Sequence, residues 1–247
     1  MIKIKIHPLT YFIMLSVLLC GYFNYFLIIS FILVIHDLGH IITIKLFKLK
    51  IYDIKILPFG SIINAEINYN IESNKLFIIS IFGIIMQIIM HYTMNILFNL
   101  SIINDISLNI FRFYNKLIII FNLLPIIPLD GSKILLSILE RLLPYKKTLI
   151  IENIISLIFI IIFIFNNDLN LNIILITSFL FLKTYETMLN HSYIFHKFLL
   201  ERFLYSNKNR KIKFIKDIKN IYKSKYNYIN NIREEKYLAK LFANNWQ

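Results

Sequence analysis

Apolar runs of roughly 20 residues, the length that crosses a bilayer core, alternate along this chain with short connections that hold most of its charge. Six runs can be drawn, over residues 9–21, 23–46, 76–99, 110–127, 148–166 and 170–189. The first is short, and the turn Gly21-Tyr22-Phe23-Asn24 leads straight into the second. The pattern predicts an all-α polytopic membrane protein with about six transmembrane helices. One connection reads differently. In "YDIKILPFGSIINAEIN", Pro58, Phe59, Gly60 and Ser61 form a turn between two short runs with strand character. This stretch is a membrane-proximal β-hairpin whose edge could pair with an extended peptide, or an ordinary amphipathic connector.

Composition supports the membrane reading. Hydrophobic residues make up 57% of the 247, and the mean hydropathy is +0.65. Soluble domains are typically ~45–50% apolar. The N-terminus has a basic head and an apolar run but no A-x-A-like cleavage site, so the run reads as a retained helix. Cys20 is the single cysteine, which excludes an internal disulfide and a cysteine cage for zinc. It reads as a small lipid-facing or core residue.

Charge sets the orientation. Lys3 and Lys5, the 47–75 connection (Lys48, Lys50, Lys55, Lys75), the 128–147 connection (Lys133, Arg141, Lys146, Lys147) and the tail are basic. The three intervening connections are not. The positive-inside bias then puts both termini in the cytoplasm. From Lys197 onward there are 13 Lys and Arg against 4 Asp and Glu, a net of +9 out of +13. A basic tail can meet nucleic acid or an anionic leaflet. On a membrane body the lipid bilayer is the simpler partner, and no direct nucleic-acid binding is expected.

Candidate chemistry lies inside the second run, "FILVIHDLGHIITIKLF". His36 and His40 are four residues apart, so on a helix they share a face one turn apart. Such a pair can grip one metal ion. Asp37 sits roughly 100° around the helix, where an H-E-x-x-H zinc site keeps its general base. Gly39 leaves one side bare for a close neighbour or a substrate. An Asp at mid-bilayer costs about 2.5–3.5 kcal/mol on insertion scales, so these groups are functional candidates. The bland alternative is two histidines hydrogen-bonded to neighbouring helices. A catalytic zinc needs a third protein ligand. Asp130 offers one, at the inner end of the fourth run, after the breaks at Pro125 and Pro128. Broken backbone at that depth is tolerated where it lines a protein cavity.

"HDLGH" with "NLLPIIPLDG" resembles the site-2 protease family of intramembrane zinc metalloproteases. "IHPLTYF", "LPFG", "FYNKLIIIFNLLPIIPLDG" and "HKFLLERF" bring it close to the family's sporulation branch, over roughly residues 5–205. The resemblance implies one zinc per chain, held by His36, His40 and Asp130. It implies Asp37 as the base, which takes a proton from water and passes it to the leaving amine, and Asn122 as a contact to substrate or to the developing oxyanion. The metal would lower the pKa of bound water toward ~7 and polarise the scissile carbonyl. The implied substrate is a membrane-tethered precursor of sigma-K type in a sporulating cell. Inhibitory membrane partner proteins are implied too, as is a location in the membrane around the forespore, on the mother-cell side. Residues 1–196 then form the transmembrane metalloprotease domain. Residues 197–247 form a short basic cytoplasmic tail, in place of the branch's cystathionine-β-synthase-type domain.

Departures from the family pattern bear on activity. Asp37 stands where the family has glutamate, and its carboxylate falls short by about one C–C bond, ~1.5 Å. Ser132 stands where a second glycine is usual, a minor change. The tail is small for a stable core, which suggests a reduced or partly helical module ordered by a partner or the membrane. His191 and His196 read as interface residues or a second metal pair, and Gln87 and His91 as interhelical hydrogen-bonders. Two other classes compete: an inactive metal-binding relative that holds a membrane partner, supported by Asp37, and an ion or metal transporter. No internal repeat and no second polar cluster support the transporter.

Overall fold

In several helices the buried stripe is rich in polar and small groups and the exposed one is apolar. Helix α6 (Tyr145–Phe165) buries Thr148, Glu152, Asn153 and Ser156 and exposes Ile150, Ile154, Ile158 and Ile161. Helix α2 (Phe23–Leu46) buries His36, Gly39 and Thr43 and exposes Phe31, Val34, Leu38 and Ile42. Water would penalise such surfaces, and lipid accepts them, leaving small and polar groups to make the helix contacts.

These features come from a computed structural model, which describes residues 3–6, 8–57, 60–168, 170–205 and 210–243. Helices form at all six apolar runs: α1 (Pro8–Leu19), α2, α3 (Ser73–Asn99), α4 (Asp105–Leu123), α6 and α7 (Leu171–Leu189). Three of them, α2, α3 and α6, are both long and apolar enough to cross a membrane. Helix α1 has 12 residues, about 18 Å at 1.5 Å per residue, against a core of ~30 Å.

The chain divides into two compact units, residues 1–67 with 78–122 and residues 68–77 with 123–247. The first holds strand β1 (Lys3–Ile6), which runs parallel to β2 (Ile51–Leu57). Strand β2 pairs antiparallel with β3 (Gly60–Ala65), from Leu57↔Gly60 to Ile51↔Ala65. The hairpin reading of residues 52–68 therefore holds for the described strands, while Pro58 and Phe59 of its turn lie outside the described residues. Asn64 donates to Asp53 across the pair at 2.5 Å, and Lys5 from β1 reaches the same carboxylate at 3.5 Å. Those contacts hold the Asp53 pKa below its usual value, with the Asn64 hydrogen bond the larger cause. Strand β3 lies against α2.

In the second unit the 128–147 connection is largely helical. Helix α4 ends at Leu123, and α5 (Asp130–Leu142) begins at Asp130, so Asp130 opens a helix instead of closing one. The prolines at 125 and 128 explain the break. Helix α6 pins it: Ser156 Oγ accepts from the Ile127 N–H at 3.2 Å and lies 3.3 Å from the Pro125 carbonyl oxygen.

The described residues of the basic tail form a second small sheet, β4 (Ile212–Ile215) parallel to β5 (Tyr226–Ile229) and β5 antiparallel to β6 (Ile232–Arg233), followed by α9 (Glu234–Ala243). Its small core is completed by α6 and α8 (His191–Leu204): Ile221 and Leu238 pack with Tyr145, Leu149, Phe195, Phe198 and Leu199. Buried charges tie it further. Lys223 Nζ lies 2.8 Å from Glu140 on α5, with 3% and 0% of the two side chains exposed. Ser73 Oγ donates to the same carboxylate at 2.9 Å. Burial pulls the Lys223 pKa down, and the Glu140 carboxylate opposes that shift. Arg202 on α8 forks onto Glu234 at 3.1 and 3.2 Å and donates to the Lys223 carbonyl at 2.7 Å.

Removing one partner of a buried ion pair typically costs about 3–5 kcal/mol, while replacing both with apolar groups costs far less. Lys223→Met is therefore expected to loosen residues 210–243 and open them to limited proteolysis in detergent. The double variant Lys223→Met/Glu140→Leu should regain most of the protection.

Candidate metal centre

Helices α2 and α3 cross within the first unit with almost no space between their backbones. A Cβ on Gly39 would meet the Phe82 carbonyl oxygen at 2.5 Å and the Gly83 Cα at 2.8 Å. A Cβ on Gly83 would meet His40 Nε2 at 2.7 Å and His36 Cε1 at 2.8 Å. The bare side of Gly39 thus receives α3, and the bare side of Gly83 receives both imidazoles.

The crossing fixes the rings. His36 is buried and His40 partly buried. His40 Nδ1 lies 2.8 Å from the Ile79 carbonyl oxygen, which only accepts, so Nδ1 carries the proton. His36 Nδ1 lies 3.1 Å from Gln87 Oε1 and donates likewise. Both Nε2 atoms are then left with lone pairs, and they face each other at 3.1 Å. Two lone pairs at that distance repel unless a cation or a proton lies between them. Two imidazoles on one tetrahedral zinc, with Zn–N of ~2.0–2.1 Å, hold their nitrogens about 3.3 Å apart. Tautomer, spacing and burial all fit a divalent metal. Donation of the second ring nitrogen to a fixed acceptor is the usual support of a metal-bound histidine.

The remaining expected site residues fall as follows. Asp37 is half-buried on α2, next to His36 in the chain. Asn122 is half-buried in the last turn of α4. In the second unit Asp130 is 5% exposed, with Lys133 Nζ at 3.0 Å. A Cβ on Gly131 would strike the carbonyl oxygens of Leu123 and Leu124, so the turn into α5 requires glycine. Ser132, at the family's second glycine, is buried and donates to the Leu129 carbonyl at 2.8 Å.

His191 and His196 have separate partners. His191 Nε2 meets the Asn153 amide, and His196 Nδ1 takes the Ser192 carbonyl at 2.6 Å. Sequence reasoning noted Gln87 as an interhelical hydrogen-bonder without linking it to the site. The available signal was a lone glycine and a glutamine one turn apart in an otherwise apolar run.

Comparison with known proteins points the same way. Residues 104–166 match Peptidase family M50. Over 215 residues the chain is 32% identical to stage IV sporulation protein FB of Bacillus subtilis (strain 168), covering 85% of this chain and 74% of that protein. Over 162 residues it is 32% identical to a zinc metalloprotease of Methanocaldococcus jannaschii, covering 63% of this chain and 46% of that one. The fold resembles the site-2 protease from Methanocaldococcus jannaschii with a TM-score of 0.58, at 24% identity, over 74% of this chain and 89% of that one.

The imidazoles can regain ordinary contact, ~3.5–4.0 Å between heavy atoms, with a methyl on Gly83 only by moving about 1 Å. Gly83→Ala is expected to weaken divalent-metal binding by at least the about 10–100-fold of a lost outer-sphere contact. Helix content by circular dichroism should stay unchanged.

Proposed function

Because the chain belongs to peptidase family M50, the site-2 proteases, we propose that it is an intramembrane zinc endopeptidase that cleaves a membrane-tethered precursor. The observation that carries this reading is the pair of Nε2 atoms facing each other at 3.1 Å, each ring fixed through Nδ1. His36, His40 and Asp130 would hold one zinc, an N,N,O donor set that suits the metal and leaves a position open. Zinc held there supplies Lewis acidity and brings a bound water toward a pKa of ~7.

The chain's own groups do the rest. Asp37 takes the proton of the attacking water and hands it to the leaving amine. The Asn122 amide donates to the carbonyl oxygen as charge builds on it. The β2–β3 hairpin offers backbone to an extended substrate segment. Six spans with both termini cytoplasmic agree with the basic connections and tail. A sigma-K-type precursor in the membrane around the forespore, with inhibitory membrane partners, follows from the likeness to the sporulation relative.

Asp37 favours a second reading, a weak or inactive metal-binding relative that holds its partner uncut. A misplacement of ~1 Å can cost about 10²-fold in rate. Co-expression with a sigma-K-type tethered precursor separates the two. The natural chain is expected to shorten the precursor slowly, His40→Ala to leave it intact, and Asp37→Glu to speed cleavage by up to about 10²-fold. Cleavage by Asp37→Glu alone would establish the second reading. An intact precursor in all three, with each protein expressed, would remove the peptidase reading for this substrate class.

A further inference from the structure

We propose that Gln87 is a positioning residue that selects the metal-binding tautomer of His36, and that Asn115 on α4 fixes the place of Gln87 through its main chain. The inference rests on the metal reading of His36 and His40. It adds two residues from α3 and α4, neither of them a ligand.

Gln87 is 0% exposed and Asn115 1% exposed. Gln87 Oε1 faces His36 Nδ1 at 3.1 Å. Oxygen in that place makes Nδ1 the donor and leaves the Nε2 lone pair toward His40. Were the amide turned over, Gln87 would present an N–H to Nδ1. Nδ1 would then have to accept, the ring proton would move to Nε2, and the face toward His40 would be closed to a cation. The choice between the two faces of one amide is therefore a choice between a competent and an incompetent His36.

Asn115 Nδ2 donates to the main-chain carbonyl of Gln87 at 3.3 Å, which holds the two residues side by side. Among the described residues Gln87 Nε2 and Asn115 Oδ1 are buried without a partner. One is a donor and the other an acceptor. They are not hydrogen-bonded to each other, so Asn115 fixes Gln87 through its main chain. The depth of α3 also explains why an amide does this work. A histidine ligand is commonly supported by a carboxylate or a carbonyl, and a neutral amide accepts the same proton without placing another charge in lipid.

The test is zinc affinity of the purified full-length chain in detergent, by chelator competition at one fixed pH, with the visible spectrum of the cobalt-loaded protein beside it. Gln87→Leu removes the acceptor at similar volume and is expected to weaken zinc by about 10–100-fold, the usual cost of a lost outer-sphere partner. Gln87→Glu restores an acceptor and should recover most of the loss and the natural cobalt bands. Asn115→Leu should weaken zinc in the same direction and by less. Unchanged affinity in Gln87→Leu overturns the proposal. So does Gln87→Glu binding as poorly as Gln87→Leu, because the loss would then come from packing. An unchanged Asn115→Leu removes Asn115 from the role. A natural chain that takes up no zinc fails before any variant is made, and the metal reading falls with Gln87's part in it.

Discussion

The contact between α2 and α3 at Gly39 and Gly83 is the constraint from which the site follows. Two helices approach this closely only where neither carries a Cβ at the crossing. The approach lays both imidazoles on the α3 backbone. It brings Ile79 and Gln87 within reach of the two Nδ1 atoms and leaves the two Nε2 atoms converging. In lipid there is no hydrophobic drive to press helices together, so close packing of small residues and interhelical hydrogen bonds must supply the contact. The same bonds that hold the helices set the ring tautomers, so packing and chemistry share one set of atoms.

Polar burial recurs away from the crossing. Helix α6 uses Ser156 to hold the proline break ahead of Asp130, and α5 carries Glu140, the buried partner of Lys223. The tail is thus bound into the unit that carries Asp130 by fully buried charges, which are costly to leave half-paired. A segment of this size has little core of its own. It closes one by packing Ile221 and Leu238 on side chains from α6 and α8.

Much of this was legible in the chain. Each apolar run became a helix, and the four-residue spacing of His36 and His40 forecast their shared face. "LPFG" marked the hairpin, and the prolines before Asp130 marked the break. What escaped has physical reasons. Helix α5 reads as a charged connection because its buried residues, Asp130, Ser132, Ser137 and Glu140, are polar ones that local pattern assigns to a surface. Strand β1 depends on pairing with β2, distant along the chain, which no short window contains. In the tail, β4 pairs with β5 across an intervening connection, whereas β5 and β6 form a local hairpin that the lysine- and asparagine-rich run obscured. Gly83 and Gln87 matter through what α2 brings to them, and a single glycine or glutamine in an apolar helix does not announce its neighbour.

The central claim is that this chain holds a metal through two imidazoles and one carboxylate. Zinc analysis with the zinc X-ray absorption spectrum of the purified chain tests it most directly. The account predicts one zinc per chain with two imidazole nitrogens and oxygen neighbours at about 2.0–2.2 Å. That signal should be lost in His36→Ala and in Asp130→Ala. A metal-free chain, or zinc that persists unchanged in both variants, would contradict it.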